Sequence, residues 1–159
     1  VYTHAVRAPS IRLARPADLA AIATVHAASV RALCAGHYSP QAIEQWLAPS
    51  PGLYDRMLRS STVYVAERAG QVVAFAAVRL ATREVRAMYV SPGATGGGLG
   101  LRLMQRVERV ARAFGAAELR LSATLNAVGF YERLGWRRDS RDSGSRSPQR
   151  CVAMRKRLM

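Results

Sequence analysis

The residues best suited to chemistry are the glycines of Thr95-Gly96-Gly97-Gly98-Leu99-Gly100. They follow a β-branched and aromatic run that breaks at Pro92, and they open directly into an apolar-periodic helix. Strand, glycine loop and helix in that order form an anion-binding arrangement. Without β-carbons, consecutive backbone N–H groups can approach a phosphate, and the helix N-terminus adds its partial positive charge. The ligand this implies is a phosphorylated cofactor. A nucleoside-triphosphate loop needs Lys then Ser or Thr after its last glycine, but Leu101 and Arg102 stand there and the one lysine is Lys156. The dinucleotide fingerprint started at Gly98 needs Gly or Ala at the position of Leu103, and started at Gly96 it fails at Leu101. What is left is a cofactor held mostly by backbone.

The elements that must position this loop can be read from periodicity. Ile11 to Ala14 alternates like a short strand, and Pro16 presets the first turn of a helix. Asp18 lies in that turn, where it complements the helix dipole. Leu19, Ile22, His26, Val30 and Leu33 follow at helical spacing, and Gly36 ends the helix. Ser39 as N-cap and Pro40 as first residue start a second helix with Ile43, Trp46 and Leu47, stopped by Pro49 and Pro51. A short helical stretch with Leu53, Met57 and Leu58 precedes a change of period. Thr62 to Glu67 and Gln71 to Val78 read as a hairpin turning at Ala69-Gly70, and Glu84 to Val90 as a further strand. After the glycine loop, Leu99, Leu103, Val107, Val110 and Phe114 share one helix face that stops at Gly115. Glu118 to Ala123 is another strand. Asn126 begins a short helix with Phe130, Tyr131 and Leu134 that ends at Gly135. Strands from Trp136 to Arg141 and Cys151 to Arg157, joined by the Ser/Gly/Arg-rich loop Asp142 to Gln149, complete the chain.

At 159 residues and 50% hydrophobic, the sequence fits one α/β domain. It contains no apolar run long enough to span a bilayer and no signal-peptide pattern at its start, so a soluble cytoplasmic protein without membrane attachment is expected. Cys34 and Cys151 stand far apart in no metal-like spacing, which points to reduced thiols and no metal site. The net charge of +14 attracts polyanions, coenzyme A as much as nucleic acid. Because arginine is scattered from Arg7 to Arg157 and no exposed aromatics are interleaved with it, nucleic acid is disfavoured as a partner.

Two stretches carry a family likeness. Gly98-x-Gly100, after a strand ending Met88-Tyr89-Val90-Ser91-Pro92, resembles the acetyl-CoA pyrophosphate loop of the GNAT superfamily of N-acetyltransferases. Asn126-Ala127-Val128-Gly129-Phe130-Tyr131-Glu132-Arg133-Leu134-Gly135-Trp136 resembles the N-x-x-x-x-F-Y-x-x-x-G-F segment of the same enzymes, with Trp136 in place of Phe. The order and spacing of the two match the superfamily, and the likeness runs from the Ile11 strand to the last strand. His37-Tyr38-Ser39-Pro40-Gln41 through Trp46 looks like one poorly characterised bacterial branch of it.

The resemblance implies a single N-acetyltransferase domain of α/β (α+β) class, its sheet mixed, mostly antiparallel and splayed, with helices on both faces. It implies acetyl-CoA as acyl donor, lying in a splay between the strands Val85 to Val90 and Leu119 to Ala123. Unpaired backbone groups around Met88, Tyr89 and Val90 would then bond the pantetheine amides. Thr95, Gly96, Gly97, Gly98, Leu99 and Gly100 would wrap the pyrophosphate. Asn126 would contact the cofactor arm, and Tyr131 would lie near the sulfur. Thr95 departs from the usual Gln or Arg and removes a long donor.

For an amine attacking a thioester, three needs follow: a neutral amine, a polarised carbonyl and a proton for the departing thiolate. A strand N–H near Met88 to Val90 answers the second. Tyr131 answers the third, since a hydroxyl of pKa about 10 can share a proton with a thiol of about 8.5. Glu84, on the strand leading to the cofactor, is the candidate base, although beside Arg83 and Arg86 it also reads as an exposed strand-end residue. His26 has suitable chemistry but sits on the apolar stripe of its helix. His37 and Tyr38 border the acceptor side in similar enzymes. Arg102, Arg106, Arg109 and Arg112 form a solvated helical stripe, of which only Arg102 is near enough to the loop to meet an adenosine phosphate. The expected partners are acetyl-CoA and an unidentified amine, with a homodimer left open. The rival reading is a non-catalytic acyl-CoA-binding module.

Overall fold

A computed structural model describes residues 7–141 and 150–158. Among these, seven strands form one sheet: β1 (Ser10–Leu13), β2 (Thr62–Arg68), β3 (Gln71–Arg79), β4 (Glu84–Val90), β5 (Glu118–Thr124), β6 (Arg137–Arg138) and β7 (Cys151–Arg157). Their spatial order is β1-β2-β3-β4-β5-β7-β6, antiparallel at every junction except the parallel β4/β5 pair. The expected mixed, mostly antiparallel sheet is therefore present. The hairpin joining β2 to β3 turns at Ala69 and Gly70, both at positive φ, which suits a tight two-residue connection to the twist of its strands.

Helices cover both faces. α1 (Leu19–Leu33), α2 (Pro40–Trp46) and α3 (Leu53–Ser60) lie on one, and α4 (Leu99–Ala113) and α5 (Val128–Arg133) on the other. The period-2 alternation of β3 sorts Phe75 and Ala77 toward α1, and Ala74, Ala76 and Val78 toward α4. Leu103 and Val107 of α4 are wholly buried on that side, each contributing about 1.5–3 kcal/mol of apolar transfer.

Several expected boundaries move. α1 is preceded by a 3-10 turn at Pro16–Asp18. The Asp18 carboxylate accepts two hydrogen bonds from Arg12, at 2.8 and 2.9 Å, and one from the Arg15 amide at 2.7 Å, so its main partner is a guanidinium and not the helix dipole. The Arg12 pairing holds Asp18 down at about 2. Phe114 does not join the buried face of α4 and is 58% exposed. Gly115, at φ 93°, closes a Schellman turn in which the Ala116 amide bonds Ala111 and the Gly115 amide bonds Arg112, so Ala116 enters the core in its place. α5 starts at Val128, with Asn126 in the preceding turn. The strand expected over Trp136 to Arg141 shrinks to Arg137–Arg138, because Trp136 belongs to a second Schellman turn, bonded to the Tyr131 carbonyl with Gly135 at φ 90°. The loop Asp142 to Gln149 lies outside the described residues.

Candidate active site

The site begins where the sheet fails to close. β4 and β5 share one registered pair, Glu84 with Arg120, supported by a 3.0 Å bond from the Arg120 amide to the Arg83 carbonyl. Beyond it the strands diverge. β4 also carries an extra residue: Val78 faces Val85 but Ala77 faces Ala87, which leaves Arg86 as a bulge. The bulge rephases the strand, so that Val85, Met88 and Val90 pack toward α4 while Ala87 and Tyr89 pack toward α1.

Two cavities open onto this gap. The first, about 690 Å³, is bounded by the start of α4, by α5 and by the C-terminal end of α1, and falls within the range of small-molecule sites, about 300–1,000 Å³. It is lined by Met88, Tyr89, Val90, Thr95, Gly96, Gly98, Leu99, Gly100, Asn126 and Tyr131, which is every residue assigned to the cofactor except Gly97. The second, about 890 Å³, is on the α1 side and receives Glu84 together with His26, Trp46, Tyr54, Phe75 and Tyr89. Val85, Arg86, Ala87, Tyr89, Ser122 and Thr124 line both, so the cavities meet through the split. Of the two residues expected to be catalytic, Tyr131 lines the first cavity and Glu84 the second.

The glycine loop folds as an anion cradle. Pro92–Ala94 makes a 3-10 turn, with the Ala94 amide on the Ser91 carbonyl at 2.9 Å. The Thr95 hydroxyl donates to the Pro92 carbonyl at 2.9 Å, so this side chain closes the loop instead of reaching outward. Gly96 and Gly98 adopt φ of 83° and 77°, conformations that side chains rarely tolerate, and Gly98 caps α4. A β-carbon on Gly96, Gly97 or Gly98 would meet nothing within 4 Å, so the space over these amides is open to a diphosphate at a helix N-terminus. Gly100 is glycine for a different reason, since a β-carbon there would lie 3.0 Å from Phe130 Cζ.

Tyr131 is 7% exposed, its ring 6.0 Å from that of Trp136, the contact that accompanies the Schellman turn. Burial pushes its hydroxyl well above the usual phenol range, so it keeps its proton at neutral pH. The Glu84 carboxylate pairs with Arg86 at 3.0 Å. His26 is packed, as its position on the apolar stripe implied, yet it also walls the second cavity. Its Nδ1 is 2.7 Å from the Tyr54 hydroxyl, and burial pulls it down to about 4, leaving the imidazole neutral.

In the turn between α1 and α2, His37 lines the first cavity and not the second. The Tyr38 hydroxyl accepts from the Leu125 amide at 3.0 Å and donates to the Arg150 carbonyl, pinning the turn to the end of β5 and the start of β7. Beside it the Cys34 thiol donates to Asn126 Oδ1 at 3.3 Å. Cys34 reaches the first cavity and Cys151 the second, and neither forms a disulfide. No local motif announces Cys34 or Cys151, which reach the two cavities only through the fold. Among the described residues no group of three His, Cys, Asp or Glu could hold a metal, and no helix is long and apolar enough to cross a membrane.

Comparison with known proteins agrees with this geometry. Residues 34–158 match the family model described as an acetyltransferase (GNAT) domain. An IAA acetyltransferase of Azospirillum brasilense is 43% identical over 72 residues, which span 43% of this chain and 44% of that protein. A solved GCN5-related N-acetyltransferase from Rhodopseudomonas palustris superposes with TM-score 0.86 at 26% identity, covering 99% of this chain and 100% of that one. The PaiA N-acetyltransferase from Thermoplasma acidophilum, solved in complex with coenzyme A, shares the fold with TM-score 0.80 at 22% identity, over 95% of this chain and 99% of that one.

Proposed function

Since the chain belongs to the GNAT acetyltransferase family, we propose that it transfers the acetyl group of acetyl-CoA to a primary amine by direct attack within a ternary complex. The observation that carries this is the pair of cavities meeting at the β4/β5 split: donor and acceptor can enter by separate cavities and touch where the sheet is open. Acetyl-CoA fits the first cavity, with its diphosphate over Gly96, Gly97 and Gly98 and its arm along Met88, Tyr89, Val90 and Asn126. As substrate it supplies a thioester carbonyl and a thiol leaving group.

The chain's own residues supply the rest. Backbone donors on the open edge of β4 stabilise negative charge on the carbonyl oxygen, because fixed dipoles in a dry cleft need no reorganisation. Tyr131, held protonated by burial that also opposes its full ionisation, shares its proton with the departing sulfur through a hydrogen bond as the C–S bond breaks and the N–C bond forms. Glu84, on the acceptor side, takes the amine's proton directly or through water. His26 is engaged elsewhere, its Nδ1 2.7 Å from the Tyr54 hydroxyl.

The test is purified protein with acetyl-CoA, a panel of primary amines and a thiol-release assay. Saturable, amine-dependent thiol release is expected. Tight acetyl-CoA binding with no release on any amine would refute the transfer reading and leave a module that only holds the cofactor.

A further inference from the structure

We propose that the second cavity carries an anion subsite formed by Arg79, Ser60 and Ser61, and that the acceptor is an amine with an aromatic body and a carboxylate at the end remote from its nitrogen. This rests on reading that cavity as the acceptor side. Four arginines line it, and three are engaged: Arg86 with Glu84 at 3.0 Å, Arg59 with Asp55 at 2.6 Å, and Arg56 with the Pro51 carbonyl at 2.8 Å. Arg79 has no carboxylate within ion-pair distance among the described residues. Its cross-strand neighbour is Glu84, whose carboxylate is turned to Arg86. Among the described residues, the Arg79 side chain donates a hydrogen bond from Nη2 to Ser60 Oγ, at 3.3 Å.

Arg79, Ser60 and Ser61 all line the cavity, and a guanidinium without an ion pair beside two hydroxyls offers the donors that a carboxylate accepts. Between this corner and the split, the wall is aromatic. His26 lies 4.6 Å from Tyr89 and 5.9 Å from Tyr54, and Phe75 lies 5.6 Å from Tyr89, between ring centroids. Arg79 faces Glu84 and Ala77 faces Ala87, so two residues of β3, a rise of about 7 Å, separate this strand position from the split. An α-amino acid holds its amine and carboxylate too close together to bridge that span, whereas a phenyl ring between them does so.

The experiment compares phenethylamine, 4-(2-aminoethyl)benzoate and phenylalanine as acceptors, with thiol release as readout, in the wild type and in Arg79→Ala, Arg79→Lys and Ser61→Ala. In the wild type, kcat/KM for the carboxylated phenethylamine should exceed that for phenethylamine by roughly tenfold or more, the scale of a charge-assisted hydrogen bond, mostly through KM, and phenylalanine should be the poorest. Arg79→Ala should bring the ratio near one, and Arg79→Lys should restore part of it. A wild-type ratio of one or below, or a ratio that survives Arg79→Ala in a protein shown by circular dichroism to be folded, overturns the subsite. Should no amine turn over, it is the transfer reading that fails, and calorimetry with 4-ethylbenzoate then decides the subsite alone. Binding to the wild type that weakens at least tenfold in Arg79→Ala supports it; no binding, or equal binding, overturns it.

Discussion

Gly100, in the first turn of α4, lies against the ring of Phe130 on α5, close enough that a β-carbon would sit 3.0 Å from Cζ. This contact joins the two stretches that carried the family likeness. It also gives the second glycine of Gly98-x-Gly100 a packing duty, while Gly96 and Gly98 answer for the loop conformation.

A double-mutant cycle measures that contact. Alanine for glycine inside a helix gains about 1 kcal/mol, whereas overpacking costs about 1–3 kcal/mol. Gly100→Ala should therefore gain nothing or lose stability in the wild type, and gain about 1 kcal/mol in a Phe130→Leu background. Urea midpoints of the four proteins give the coupling.

Tyr131→Phe removes the proposed acid while keeping the ring that packs on Trp136. A fall in kcat of about 100-fold is expected, with little change in acetyl-CoA affinity. A rate like that of the wild type would take Tyr131 out of the mechanism. Because burial raises its pKa, no loss of rate from its ionisation should be seen up to pH 10.

Glu84→Gln tests the base. Its kcat/KM should drop by about 100-fold, with little change in acetyl-CoA affinity. His26→Gln, measured in parallel, should keep most of the rate, because the imidazole is engaged by the Tyr54 hydroxyl.

Stability should fall with acid in two windows. Burial moves His26 from its ordinary 6.5 down to about 4, so the unfolded chain binds the proton more readily and stability is lost as pH drops from 6.5 to 4, by about 3 kcal/mol. Asp18 is held at about 2 against an ordinary 3.8, so its contribution, about 1–2 kcal/mol after solvent screening, is present above 3.8 and lost as pH falls toward 2. Urea midpoints between pH 7 and 4 should flatten in His26→Gln, and those below pH 4 in Asp18→Asn.

Tyr38→Phe leaves the Leu125 amide without its 3.0 Å acceptor and the Arg150 carbonyl without its donor. A loss of about 1–3 kcal/mol is expected. The KM for acetyl-CoA should rise as well, because Asn126 follows directly on the loosened residue.

Much of this molecule could be read in advance. Turn residues such as Gly70, Gly115 and Gly135, and caps such as Ser39, act over a few neighbours, so the strands and helices they bound were visible in the chain. The glycine loop was visible for the same reason. Phe114 was misplaced because helical spacing says which way a residue points but not where the sheet beneath it ends. The second cavity could not be read at all. His26, Tyr54, Arg79, Tyr89 and Cys151 come from five elements and meet only when α1 and α3 close on the sheet. The bulge at Arg86 was equally hidden, since an extra residue in a strand is defined by what it faces on the neighbouring one.

The single rung between β4 and β5 also divides the chain by order of assembly. β1 to β4 are joined largely by neighbouring hairpins, whose contacts close short loops, while β5 reaches β4 only after the whole of α4 has crossed over. The opening that receives substrates is therefore a seam between an early-forming half and a late-forming one. Amide hydrogens beside it, at Val85 and Arg120, should exchange sooner than those in the middle of β3, and a ligand bridging the seam should slow them.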